Sequence, residues 1–258
     1  MERKKRIHRV APGVLALLGL ALTLLTREAA IAPEADTGSK LLFALSLIAL
    51  LVGAVLLAAA HHPRRAPADT RKLTMAAMFA ALCYVGFACL RIDIPVGTEK
   101  TAFHLGNVFC VLGALFLGGF WGGMAGAVGL TIADLTSGYV TSAPKTFLLK
   151  LGIGMIAGLV AHRIFRLSRE KQERRGSLAL GTVLSCGAGM GFNVVADPLV
   201  GYFYKTYLLG IPQEAAQVWA KIGALTTLVN ALVAVVVATA LYLALRPPLE
   251  KSRLLPRL

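Results

Sequence analysis

Long apolar stretches dominate the chain, separated by short polar connectors. A membrane-spanning helix takes about 20 predominantly apolar residues. Eight stretches meet or approach that length, at roughly 10–26, 41–60, 73–90, 105–118, 121–138, 146–162, 177–198 and 220–245. Only Gly118 to Trp121 divides the fourth from the fifth, which predicts two short helices about a glycine-rich hinge. The pattern predicts an all-α fold, a polytopic membrane helix bundle.

Composition agrees. The 258 residues are 57% hydrophobic and 16% charged, against about 45–50% and about 25% in soluble domains, so a soluble globular enzyme is excluded. With 27 Lys and Arg against 13 Asp and Glu, a soluble chain would point to nucleic acid. Here the placement of the charges points to a membrane instead. Arg3, Lys4, Lys5, Arg6 and Arg9 precede the first stretch; Arg64, Arg65, Arg71 and Lys72 lie between the second and third. Arg163, Arg166, Arg169, Lys171, Arg174 and Arg175 follow the sixth, and Arg246, Lys251, Arg253 and Arg257 follow the last. The positive-inside rule puts these connectors and both termini in the cytoplasm of a multi-pass cell-membrane protein. The opposite connectors carry acids: Glu28, Glu34 and Asp36, then Asp93 and Glu99, then Asp197 and Glu214. A basic start, the apolar run Val14–Leu25 and the small Ala29 and Ala30 also fit a cleaved signal peptide, which would leave seven crossings in the same orientation.

The stretches differ in kind. The first two are Leu/Ala/Val helices with hardly a polar atom, ending in His61-His62-Pro63-Arg64-Arg65-Ala66-Pro67. From Lys72 on, Gly, Asn, Asp, Lys and Tyr occur at membrane depth. Three parts follow: an N-terminal extension over 1–71, a six-helix core over 72–245 and a basic cytoplasmic tail over 246–258.

Ionisable and polar groups in a spanning segment are costly, so each is a candidate for function. In Thr101-Ala-Phe-His104-Leu-Gly-Asn107, His104 and Asn107 are three apart and would share a helix face where free backbone N–H groups favour an anionic or carbonyl ligand. An interfacial His and a packing Asn fit the same pattern. Asp134 and Lys150 lie eight residues either side of Ser142, at similar depth, and could neutralise each other as a structural pair or as the floor of a pocket. Lys150 could equally snorkel outward. Asn193 and Asp197 are four apart on one face, followed by Tyr202, Tyr204 and Tyr207 in a connector, a pattern that fits an aromatic belt or a binding platform. His104, Asn107, Asp134, Lys150, Asn193 and Asp197 converge from four helices on the outer side, as in a small-molecule site.

Small residues recur at every fourth position: Ala76 and Ala80, Ala77 and Ala81, Gly118, Gly122 and Gly126, and Gly154 and Gly158. Such faces let helices approach closely, within the chain or with another. Cys83, Cys89, Cys110 and Cys186 form no C-x-x-C and read as packing residues. No phosphate-binding loop is present, since Gly138 to Thr146 has the wrong spacing. His8, His61, His62, His104 and His162 fall at or beyond helix ends, leaving neither a Ser–His dyad nor a metal site. No cofactor and no enzymatic activity are expected. Nor does an inverted repeat of broken helices stand out.

Thr101–Asn107, Leu112–Gly118, Gly122–Gly126, Ala133-Asp-Leu-Thr-Ser-Gly-Tyr139 and Ala143-Pro-Lys-Thr-Phe147 with Lys150 resemble the substrate-binding S components of energy-coupling factor (ECF) vitamin transporters, in the subgroup labelled riboflavin-type. The resemblance covers about 72–245. It implies a six-helix binding subunit with both termini inside and a ligand pocket open to the outer side. It also implies a T component and two cytosolic ATPases as partners, and it carries Tyr139 into the substrate-binding set. An A-x-x-x-A face on the first core helix docks the T component in relatives, which nominates Ala76, Ala77, Ala80 and Ala81. The N-terminal hairpin over 10–60 departs from the family pattern. A flavin ring wants aromatic stacking partners, and polar groups outnumber rings here, so pyridoxine or a hydroxymethylpyrimidine is the favoured ligand and riboflavin the alternative. A stand-alone carrier and a membrane scaffold are the rival readings. The connector 91–104, with Pro95 and Gly97, has the hinge residues of a lid.

Overall fold

A computed structural model describes residues 15, 17–26, 29, 38–39, 41–43, 45–49, 70–97, 99–168, 175–252 and 254–255. The N-terminal basic cluster, the His61–Pro67 connector, Arg169, Lys171, Arg174, Arg253, Arg257 and the acids Glu28, Glu34 and Asp36 lie outside them. Two compact units divide the chain, one of Met1–Ala68 with Asp134–Pro144, the other of Asp69–Ala133 with Lys145–Leu258.

In the first unit, Leu17–Thr26 forms α1, and α2 is described at 41–43 and 45–49. The two are joined by polar atoms that the apolar character of these runs concealed. The hydroxyls of Thr23 and Ser46, both buried, lie 3.0 Å apart. Each also reaches its own backbone, Thr23 to the Gly19 carbonyl and Ser46 to that of Phe43. With one proton per hydroxyl, one donates across the hairpin while the other keeps its bond within the helix.

The second unit begins with α3 (Thr70–Ala88). The following connector, in which the sequence showed the hinge residues Pro95 and Gly97, is a β-hairpin. Strands β1 (Arg91–Val96) and β2 (Glu99–His104) pair antiparallel with Arg91 opposite His104 and Val96 opposite Glu99. Gly97 turns the chain at φ 61°, a conformation costly for residues with a Cβ. Asp93 accepts from Arg91 at 2.9 Å and from Lys100 at 3.0 Å, tying the strands together. Helix α4 (Gly106–Leu117) follows, and every one of its 12 residues except Phe109 is buried. It packs on α3, α7 and α8.

The glycine hinge is where the sequence placed it. Gly118, at φ 85°, separates α4 from α5 (Gly119–Thr136). A 3₁₀ turn (Val140–Ser142) leads into α6 (Ala143–Leu159), which ends in a π-helical turn (Val160–Ile164). The long α7 (Arg175–Phe203) contains Pro198 and also ends in a π turn, Tyr204–Leu208. Tyr202 and Tyr204 therefore extend a helix rather than sit in a loop. The last helix, α8, runs from Gln213 to Lys251. It continues past the expected end at 245, and Arg246, counted from the sequence with the cytoplasmic tail, is buried and paired with Glu250 at 2.6 Å.

The glycine stripes of α5 and α6 are used inside the chain. A Cβ on Gly122 would collide with the Ala114 backbone, one on Gly126 with the Cys110 thiol, and one on Gly129 with the Ala80 carbonyl. Gly154 meets the Gly123 backbone and Gly158 the Gly119 backbone in the same way. α5 thus approaches α3, α4 and α6 at backbone distance, which only glycine permits. Apolar side chains such as Leu73, Met78, Leu159, Val195, Leu232 and Val236 are exposed on the outward faces, the surface expected against lipid. Among the described residues, four helical segments are long and apolar enough to cross a membrane: Thr70–Ala88, Val140–Ile164, Gly176–Leu208 and Gln213–Lys251.

Candidate ligand-binding site

His104 is the last residue of β2, not part of a helix. It and Asn107 are therefore neighbours across the Leu105 N-cap of α4 and do not share a helix face, as their spacing had suggested. The Asn230 carboxamide of α8 fixes this segment. Its Oδ1 accepts the His104 backbone N–H at 3.0 Å, and its Nδ2 donates to the Ala102 carbonyl at 3.0 Å. One side chain thus stands in for a third strand.

The His104 ring stacks obliquely on Phe87, with centroids 4.6 Å apart. Its Nδ1 accepts the Gly106 backbone N–H at 3.2 Å. That bond leaves the neutral ring's proton on Nε2, which can donate. Burial pushes the imidazole down to about 3, and the Lys150 ammonium adds to the fall. His104 is accordingly neutral at physiological pH.

Asn107 lies in the first turn of α4 and Asn193 within α7. Both are almost wholly buried, and the Oδ1 of each has no hydrogen-bond partner among the described residues. A buried carbonyl oxygen left unpaired costs about 1–3 kcal/mol, and folded proteins keep few of them without a use. Both want a donor.

Lys150 of α6 is buried. Its ammonium acts on both His104 and Asp197, which places the three in one neighbourhood. The Cys110 thiol donates to the Lys150 carbonyl at 3.6 Å, tying α4 to α6. The carboxylate of Asp197 engages a lysine, but the close partner is Lys145, at 2.7 Å. The Thr227 hydroxyl of α8 donates to its other oxygen at 2.8 Å.

Asp134 and Tyr139 belong to the first unit. Both are buried, and the Tyr139 backbone N–H donates to the Asp134 carbonyl at 2.9 Å in the turn that closes α5. On α3 the two A-x-x-x-A registers separate: Ala76 is buried and Ala80 half-buried, whereas Ala77 and Ala81 are exposed.

In the second unit the structure brings together His104, Lys150 and Asp197, with Asn193 one helical turn from Asp197. Sequence reasoning missed Lys145, Thr227 and Asn230 as partners. Thr227 and Asn230 are polar residues three apart within the long apolar stretch of α8, a signal of the kind that singled out Asn193 and Asp197.

Residues 68–247 match the family model of the ECF-type riboflavin transporter, S component. The chain belongs to that family. The match begins just before α3 and ends within α8, and it does not extend to α1 and α2. No curated protein and no solved structure matches the chain. ECF S components are membrane-embedded substrate-binding subunits that bind a small vitamin and work with a T component and ATPases. An S component is a transport subunit, not an enzyme.

Proposed function

We propose that this S component captures a flat, water-soluble heterocyclic vitamin at the hairpin end of α4, that this end faces the outside of the cell, and that a T component with two cytosolic ATPases drives uptake. The observation that carries the reading is the pair of unpaired carboxamide oxygens on Asn107 and Asn193. Binding is where such groups recover the hydrogen bonds that folding left unmade. A carboxamide offers an acceptor beside a donor, which complements a lactam or imide edge. His104 Nε2–H supplies a further donor, and Lys150 a positive charge that acts on the same ring. Their motif separately nominates Asp134 and Tyr139 as ligand-binding residues.

Riboflavin, whose ring carries an imide edge, is the first candidate, since the family match weighs toward it. Pyridoxine or a hydroxymethylpyrimidine is the second reading, favoured by the ratio of polar groups to rings: Phe87 is the ring that lies against His104. The exposed Ala77 and Ala81 form the face proposed to meet the T component. The protein purified in mild detergent and then denatured should release one vitamin, identified by mass spectrometry. A yellow, fluorescent flavin supports the first reading and a pyridine or pyrimidine the second. Protein that releases no small molecule and binds none of these vitamins would sink the capture role.

A further inference from the structure

We propose that Lys145, Asp197 and Thr227 form a splint across a proline-weakened turn of α7, so that Asp197 positions Asn193 and does not itself touch the vitamin. The proposal rests on the capture site described above, and its first test does not depend on it. Both carboxylate oxygens of Asp197 are already engaged by the chain's own donors, Lys145 Nζ from α6 at 2.7 Å and Thr227 Oγ1 from α8 at 2.8 Å. The next residue is Pro198, inside the helix. It has no N–H to give, so the Val194 carbonyl loses its usual helical donor, and its ring crowds the same turn. The weak turn begins directly after Asn193.

Lys145 bridges this turn. Its ammonium binds Asp197, and the same side chain lies 3.5 Å from where a Cβ on buried Gly201 would stand, one turn beyond. The lysine side chain therefore lies along α7 on both sides of the proline. Thr227 anchors the other flank, and three residues on, Asn230 holds the β2 backbone. One face of α8 thus fixes both the hairpin that carries His104 and the α7 arm that follows Asn193. With the splint closed, the orientation of Asn193 is set by two neighbouring helices rather than by a helix interrupted at its next turn.

The test compares Asp197→Asn, Lys145→Met, Lys145→Arg and the exchange Lys145→Asp with Asp197→Lys against the parent. Melting is measured without ligand, and riboflavin affinity is read by fluorescence quenching well below every melting point. Breaking a largely buried pair from either side should lower the melting temperature by about 10 °C and weaken riboflavin at least tenfold. Lys145→Arg and the exchange should recover most of both. Recovery of melting without recovery of affinity would mean that Asp197 contacts the ligand, overturning the positioning role. Single variants that melt like the parent would overturn the splint itself. A parent that melts as expected yet ignores riboflavin counts against the flavin reading, and the melting series still decides the splint.

Discussion

At the Gly118 end of α4 the helices meet largely backbone to backbone, through Gly119, Gly122, Gly123, Gly154 and Gly158. At the hairpin end, α6, α7 and α8 are joined by polar side chains: Lys145 to Asp197, Asp197 to Thr227, and Asn230 to β2. The first kind of contact saturates itself. Its dispersion gain depends on close fit and leaves nothing over for a ligand. The second kind is built from groups with several hydrogen-bonding positions, and among the described residues the Oδ1 atoms of Asn107 and Asn193 are among those left unused. A membrane protein that must hold its helices and also receive a polar molecule has reason to separate the two tasks in this way.

The comparison is broken most easily at the glycines. Gly122→Leu or Gly158→Leu should prevent α5 from seating, a cost of about 3 kcal/mol or more, seen as loss of monodisperse protein in size-exclusion chromatography. Gly187→Ala, where a Cβ meets open space, should leave the elution profile unchanged. If both substitutions at the packed positions elute like the parent, the backbone contacts are not what holds that end.

A smaller effect of opposite sign is expected at the polar end. Asn193→Leu removes a buried, unpaired oxygen, so the ligand-free protein should melt at the same temperature or higher, by up to about 1 kcal/mol of stability. Vitamin binding should fall about a hundredfold or more, because the ligand would then be the partner left unsatisfied. Loss of stability in step with binding would reassign Asn193 to structure.

The smallest effect concerns pH. His104 is held well below its ordinary value, so the folded state favours the neutral ring. Its contribution is complete above about pH 6.5, the ordinary histidine value, and is lost as pH falls from there toward 3. The melting temperature should drop by a few degrees between neutral and mildly acidic solution, and His104→Gln should remove that part of the slope. A parallel slope in the variant would show that other groups carry it.

Much of this arrangement could be read from the chain, and what could not has a physical pattern. The glycine hinge at Gly118 and the close-packing stripes were legible because a missing Cβ has one main use at a four-residue repeat. The convergence of His104, Lys150 and Asp197 was legible because charge at membrane depth is expensive. The pairing of those charges was not. Lys145 and Lys150 lie on the same helix less than two turns apart, and only the packing of α6 on α7 decides which of them Asp197 meets. The hairpin was hidden for a related reason. Pro95 weakens the strand signal, and much of what holds β2 comes from Asn230, a residue 126 positions away from His104.

The brevity of α4 has a further consequence. Twelve residues rise about 18 Å, against a hydrocarbon slab of about 30 Å. Roughly 12 Å of membrane depth above or below this helix must be filled by something else. If the hairpin and its cargo occupy that remainder, the vitamin rests well beneath the headgroups before any energy is spent, and the inward step has correspondingly less of the bilayer left to cross.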